Sequence, residues 1–220
     1  MFNQQNFEKY KHFSFDLWLT LIKSNKEFKL KRSILFKEFF GINNEINEIH
    51  KVIKYYDDCC NSINEVTGGN IDTFQIYGLI LNHFNATYDI FLLNDFYDET
   101  EKLFYNYPPE KINQYLYDLL EKNKSEGKSS NILSNTGFIK GTTIRQVLKD
   151  MEILNFFDFH IFSDEVKMSK PNHEIFDLMI SSVDKNISLN EVIHIGDNVI
   201  ADYQSAVSYG INAYLVKNEK

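Results

Sequence analysis

The chain has 220 residues, a net charge of −8 and a hydrophobic fraction of 43%. That length and apolar content suit one domain of ordinary size, or a core with a small inserted domain, and they exclude wholesale disorder. The acidic balance lacks the Lys/Arg surplus that binding a phosphate backbone requires, so nucleic acid is excluded as a general partner.

The N-terminal stretch MFNQQNFEKYKHF is polar and holds no apolar core of a signal peptide. No later stretch reaches the ~18 apolar residues of a membrane span. A cytoplasmic protein with no membrane partner, monomeric or homodimeric, is expected. Next comes FSFDLWLT, from Phe13 to Thr20, which reads as a buried strand delivering Asp16 at its carboxyl end.

Beyond it the apolar residues fall at three and four spacing in EFKLKRSILFKEFF, EIHKVIKYYDDCCNSI, TFQIYGLILNHF and DFYDETEKLFYNY. The spacing predicts a helical insert over residues 23–106, with breaks at Gly41 to Asn44, Thr67 to Asn70 and Asn85 to Thr87. The many aromatic residues of this insert read first as the core of a small bundle. Cys59 and Cys60 are adjacent, a spacing that suits neither an ordinary disulfide nor a zinc site, and they read as packing thiols.

Pro108 and Pro109 mark the return to the first unit, which comprises residues 1–22 and 107–220. From there helix and strand alternate: INQYLYDLLEKNK, SSNILS, TTIRQVLKDMEI, FFDFHIFS, NHEIFDLMISSV, EVIHIG, DYQSAVSYG and NAYLVK. Such alternation implies a parallel sheet covered on both faces, with its ligand crevice beyond the carboxyl ends of the strands. Polar groups suited to phosphoryl transfer gather at those ends: Asp16, LSNT from Leu133 to Thr136, Lys170 in MSKP, and GDNVIAD from Gly196 to Asp202.

Each group has a plain structural role as well. Asp16 alone reads as a turn former, Asp197 and Asp202 as helix-cap acids, Lys170 as surface charge, and Ser134 and Asn135 as turn residues. Together they make a site. A carboxylate can attack phosphorus as a nucleophile. Three converging carboxylates repel one another unless a cation joins them, and an all-oxygen donor set beside a phosphate suits Mg2+. A lysine can stabilise the transferring phosphoryl oxygens, and a hydroxyl with nearby amides can bind another of them. Pro171 is placed to open the helix after Lys170.

In that order the four stretches resemble the haloacid dehalogenase (HAD) superfamily, over Phe13 to about Val216. The resemblance implies a doubly wound, Rossmann-like α/β fold of HAD type with a small helical cap as the insert. It implies Asp16 as nucleophile, with Lys170 and Ser134 as its catalytic partners and a small phosphorylated molecule as substrate. Asn135, Thr20 and Trp18 are the implied substrate contacts, with Thr20 helping to hold the loop. Mg2+ is expected at Asp16, Asp197 and Asp202, joined by the main-chain carbonyl of Trp18. Lys23 and Ser24, just past the first strand, are also placed to meet substrate.

Two positions depart from the family's phosphatases. Trp18 stands where they carry a second Asp, the acid that protonates the leaving group, and Leu19 replaces a usual Gly. General acid help is worth ~10² to 10⁴ in rate, so an enzyme without it is confined to leaving groups that are already weak bases. Two alternatives stay open. The family's 2-haloacid dehalogenases carry an aromatic residue at this position, use no metal and need an arginine near the nucleophile, for which Arg32 is the obvious candidate. A phosphate-binding or regulatory protein that has lost turnover is the other.

Overall fold

The computed structural model describes residues 7–217. The first part of the stretch read as lacking a signal peptide therefore lies outside the described residues. Seven strands occur among the described residues: β1 His12–Phe15, β2 Ile22–Lys23, β3 Glu110–Lys111, β4 Ser129–Ser134, β5 Phe159–Phe162, β6 Val192–Gly196 and β7 Asn212–Leu215. Five of them form one sheet in the order β5-β4-β1-β6-β7. Every pair in it is parallel, with Phe15 opposite both Ile132 and Ile195.

The helices are α1 Lys26–Phe39, α2 Ile46–Thr67, α3 Thr73–His83, α4 Ile90–Asn106, α5 Gln114–Ser125, α6 Gly141–Asp150, α7 Ser163–Val166, α8 His173–Ser181 and α9 Ser205–Tyr209. One face of the sheet presents Phe13, Phe15, Ile132, Ile193 and Ile195 to Leu116, Leu119 and Leu120 of α5 and Ile144 and Val147 of α6. The other presents Leu133 and Val192 to Ile175, Phe176 and Met179 of α8 and Ala206 of α9. Apolar cover on both faces is what a parallel sheet requires. This is the expected doubly wound, Rossmann-like α/β fold.

The second face also carries polar side chains that bond one another. His12 meets Ser129 Oγ at 2.7 Å and Asn131 Oδ1 at 2.9 Å, and Ser14 Oγ lies 2.9 Å from His194 Nδ1. Because a strand's side chains alternate, the phenylalanines of β1 fill one face while His12 and Ser14 begin a buried polar row under the site on the other.

Helices α1–α4 run between β2 and β3 and share their own core, including Phe36, Ile53, Tyr77, Ile80 and Phe96, with Phe138 inserted from the loop after β4. The predicted breaks all fall between these helices. Tyr77, Phe96, Tyr97 and Phe104 are buried as expected, whereas Tyr55 and Phe91 are exposed. The antiparallel pair β2 and β3 ties together the two crossings between the insert and the sheet. Its two-residue strands are too short to show any periodicity in the sequence.

Three local readings are corrected. Pro171 does not open α8: Asn172 is the N-cap, accepting from Glu174 N, and the helix starts at His173. The aromatic run before β5 is not all strand, since Leu154–Phe156 form a 3-10 turn that packs Phe157 into the core. The segment predicted as one helix after GDN begins as a π-helical turn, Val199–Gln204, before α9. Among the described residues no helix is long and apolar enough to cross a membrane.

Candidate active site at the carboxyl edge of the sheet

Asp16 follows β1 directly, its N–H donating to Ile195 O at 2.8 Å. The chain then turns back sharply. The N–H groups of Leu21 and Ile22 both donate to Leu17 O, and Leu19 N–H donates to Ile22 O at 2.7 Å. This turn needs a left-handed residue, and Leu19 occupies it at φ 59° with no glycine, at the cost of crowding between its Cβ and the backbone. Helix α5 secures the turn from below, through Tyr117 OH to Leu21 O at 2.7 Å and Asn113 Nδ2 to Thr20 O at 2.8 Å. Thr20 holds Asp16 itself, its hydroxyl donating to Asp16 Oδ2 at 3.2 Å. Trp18 is half-buried against Phe104 of α4, with ring centroids 6.3 Å apart.

Lys170 is the hub. It is 1% exposed, and its Nζ donates to Asp16 Oδ1 at 2.9 Å, Asp202 Oδ1 at 2.6 Å and Leu133 O at 2.7 Å. Those three acceptors use its three protons. The Asn135 side chain clamps the Lys170 main chain from both sides, donating to its carbonyl at 2.9 Å and accepting from its N–H at 2.8 Å. Asn135, expected at the substrate, does line the cavity, but its side-chain amide is spent on positioning the lysine. Ser134 is fully buried with its hydroxyl turned to Asn135 O at 3.2 Å, and it does not line the cavity.

His194, read at first as part of an apolar strand, lies beneath the lysine. Its Nε2 is 3.2 Å from Asp202 Oδ1. Burial first, then the charge of Lys170, lowers its pKa, so the ring is neutral. With the lysine protons committed and Asp202 able only to accept, Nε2 carries the ring proton and Nδ1 accepts from Ser14.

Asp197 and Asp202 flank the turn after β6. Gly196 is required there, because a Cβ would collide with the Asp202 carboxylate. Asn198 caps the next turn by accepting from Ile200 N and Ala201 N, and its own N–H donates to Asp202 Oδ2 at 2.9 Å. Asp16, Asp197 and Asp202 thereby place carboxylate oxygens within 4.8 Å of one another. Among the described residues only Lys170 forms ion pairs with Asp16, and Asp197 has none.

The electrostatics record that deficit of positive charge. Burial pushes Asp16 up to about 7 against the pull of Lys170, with the charges of Asp202 and Asp197 adding to the rise. Burial and then Asp202 push Asp197 up to about 6. Asp202 goes the other way: burial alone would raise it, but Lys170 and then His194 hold it below the ordinary carboxylate range. Burial opposes the charge of Lys170 as well, and Asp16 and Asp202 outweigh it, so the lysine stays protonated.

These groups open into a cavity of about 820 Å³ whose opposite wall comes from the insert, including Lys23, Ser24, Arg32 and Asp57. Glu65 of α2 reaches across to accept from Asn198 Nδ2 at 2.6 Å. Arg145 is elsewhere, in a two-point pair with Glu165, which leaves Arg32 as the guanidinium facing the cavity. Asp164 and Ser169 support the loops rather than the cavity, Asp164 accepting from Thr136 Oγ1 and Gly141 N and Ser169 bonding Asn70 of the insert.

The family model for haloacid dehalogenase-like hydrolases matches residues 14–216, which include every part of this site. The chain belongs to that family. It is 27% identical over 222 residues to an uncharacterised hydrolase of Schizosaccharomyces pombe, covering 97% of this chain and 93% of that one. Solved structures share the fold at lower identity. A HAD phosphatase from Thermococcus onnurineus is 18% identical with a TM-score of 0.66, covering 94% of this chain and 86% of its own. The L-2-haloacid dehalogenase of Xanthobacter autotrophicus is 15% identical with a TM-score of 0.63, covering 94% and 77%. This HAD-family hydrolase therefore shares its architecture with both chemistries.

Proposed function

We propose that the protein is a magnesium-dependent phosphatase or phosphotransferase acting on a small phosphorylated molecule through an aspartyl-phosphate at Asp16. The observation that carries this reading is the set of three carboxylates within 4.8 Å of one another, served by one buried lysine. A metal-free site would leave that charge uncompensated in a buried place, whereas an all-oxygen donor set fits a hard divalent cation. Asp16 and Asp197 are the ligands the donor set offers, with the Trp18 main-chain carbonyl implied by the resemblance. Asp202 already accepts three protein protons, from Lys170 and His194 at Oδ1 and from Asn198 N–H at Oδ2, and stands behind them. When bound, Mg2+ would supply Lewis-acid charge to the phosphoryl oxygens.

The chain's own residues do the rest. One Asp16 oxygen attacks phosphorus, the bond to the leaving oxygen breaks, and that oxygen departs with its electron pair. Water then attacks the same phosphorus and the bond to Asp16 breaks, which releases phosphate and restores the carboxylate. Lys170 stabilises the negative charge carried by the phosphoryl group during both steps and is held in place by Asn135 and Asp202. Trp18 has no proton to give the leaving oxygen, so acyl phosphates and other good leaving groups are the favoured substrates.

A second reading is favoured by two observations, the indole at position 18 and Arg32 on the cavity wall. Both suit a 2-haloacid dehalogenase, in which Asp16 would displace halide without proton transfer. The experiment is release of phosphate from acetyl phosphate and from an aryl phosphate, with magnesium or with EDTA, beside Asp16→Asn. Magnesium-dependent release lost in the variant supports the proposal. Halide release from 2-haloacids in EDTA would replace it with the second reading, and binding of a phosphate mimic without either turnover would leave a phosphate-binding protein.

A further inference from the structure

Arg32 lies in α1, on the insert's wall of the cavity, and is only 7% exposed. Its guanidinium carbon sits 4.2 Å over the Phe138 ring and 5.4 Å over Phe28. Aromatic cover stabilises a guanidinium on its faces and leaves its edge for hydrogen bonds. Yet Nε has no partner, and among the described residues no carboxylate lies within ion-pair distance of the group. The buried Tyr77 hydroxyl lies close to both Arg32 and Thr100 without a well-formed hydrogen bond to either.

A buried, unpaired guanidinium is costly unless something arrives to pair with it. The surrounding charge indicates what. Lys23, Lys26 and Lys29 line the cavity on the same wall as Arg32, against the two acids Asp57 and Glu65, so positive charge is in excess there even with Lys23 paired to Glu110. Phe138 joins the two ends of the cavity physically. It follows Asn135, the clamp of Lys170, in one loop, and it packs into the core of the insert.

We infer that the substrate carries a second oxyanion, a carboxylate or a second phosphate, and that Arg32 on the bed of Phe138 binds it while the transferred phosphoryl group sits at Asp16. This rests on the phosphatase reading of Asp16. It makes Arg32 a specificity residue, and it narrows the substrate class to phosphorylated acids and bisphosphates. Simple monoanionic phosphate esters and acetyl phosphate are then minimal substrates, held at one end only.

The test reads binding rather than turnover. Calorimetry with magnesium present compares short alkylphosphonates of increasing length, ending in methyl, in carboxylate or in a second phosphonate. In the wild-type protein, one of the charged ends at its best chain length should tighten binding by about tenfold to a hundredfold over the methyl end. Which charged end gains more distinguishes a carboxylate from a phosphate ligand. Arg32→Ala should remove the gain, and Arg32→Lys, which keeps the charge without the fork, should keep part of it. Equal affinity for all three ends in the wild type overturns the inference, as does a gain that survives in Arg32→Ala. If Arg32→Ala does not fold, as checked by circular dichroism, the wild-type series and Arg32→Lys still decide. Phosphate release measured in parallel separates the two ideas: release without a charged-end gain sinks this inference alone, and an Arg32-dependent gain without release sinks hydrolysis alone.

Discussion

Replacing Lys170 with Met keeps most of the side-chain volume and removes the one cation that pairs with both Asp16 and Asp202. Removing one member of a buried pair leaves an uncompensated charge and costs about 3 to 5 kcal/mol. For a chain of this size each kcal/mol moves the melting temperature by about 2 to 4 °C, so the variant should melt about 6 to 20 °C lower at pH 8 in EDTA. The pH dependence carries the reasoning. Asp16 has a folded pKa of about 7, well above its unfolded value of 3.8. A raised carboxylate destabilises the fold in full above its folded pKa; the penalty shrinks steadily as pH falls below that value and is gone only below the unfolded pKa. Without Lys170, Asp16 titrates higher still and Asp202 loses the main charge that depresses it, so both take up protons more readily in mild acid. The deficit of the variant should therefore shrink to less than half by pH 5, as read from thermal melts of both proteins across that range. An equal deficit at pH 5 and pH 8, or no deficit at pH 8, would refute the claim that Lys170 is there to balance buried carboxylates.

Magnesium should raise the melting temperature of the wild type more at pH 8 than at pH 5, because Asp16 and Asp197, at about 7 and about 6, are protonated in acid and need no cation. At a hundredfold excess over its dissociation constant the ion is worth about 2.7 kcal/mol, and a pH-independent shift in differential scanning calorimetry would argue against these ligands. Trp18→Asp should speed hydrolysis of alkyl phosphates by ~10² to 10⁴ and of acetyl phosphate by far less, giving a shallower dependence of kcat/KM on leaving-group basicity. Leu19→Gly should leave stability unchanged or raise the melting temperature slightly. It relieves about 1 to 2 kcal/mol of left-handed strain against about 0.5 to 1 kcal/mol of added chain entropy, and the lost leucine is 53% exposed. A drop of several degrees in a thermal melt would show that the side chain packs against something essential.

The parts of this protein that could be read from its sequence are those in which backbone and chemistry coincide. Strands β1, β4, β5 and β6 end in or run directly into Asp16, Ser134, Ser163 and Asp197, and a parallel sheet brings such ends to one edge, where Lys170 joins them from the loop before α8. Asp16, Lys170, Asp197 and Asp202 were therefore legible as a group although 186 residues separate the first from the last. What stayed hidden depends on rotamers and on packing between segments. Ser134 and Asn135 stand at the expected strand end, but one hydroxyl turns to its neighbour and one amide grips Lys170, and no spacing encodes that choice. His194 hides inside VIHIG, because a buried polar residue in a central strand looks like an interruption until Ser14, directly across the sheet, is seen to bond it.

Arg32 is the most telling case. Its helical spacing says only which face of α1 it occupies, and a lone arginine there is ordinarily solvated. Its meaning comes from Phe138, more than a hundred residues later, which leaves the core loop to lie beneath the guanidinium. The same loop begins with the residue that clamps Lys170. Binding at the insert wall and chemistry at the strand ends are thus joined through one short segment, residues 135–138. On the proposed reading, a ligand paired with Arg32 would bear on the segment that also orients the lysine, so the energy of recognising the far end of the substrate could be used at the reacting end. In a site that lacks a proton donor at position 18, positioning of this kind would add to the charge stabilisation proposed for Lys170 in lowering the barrier.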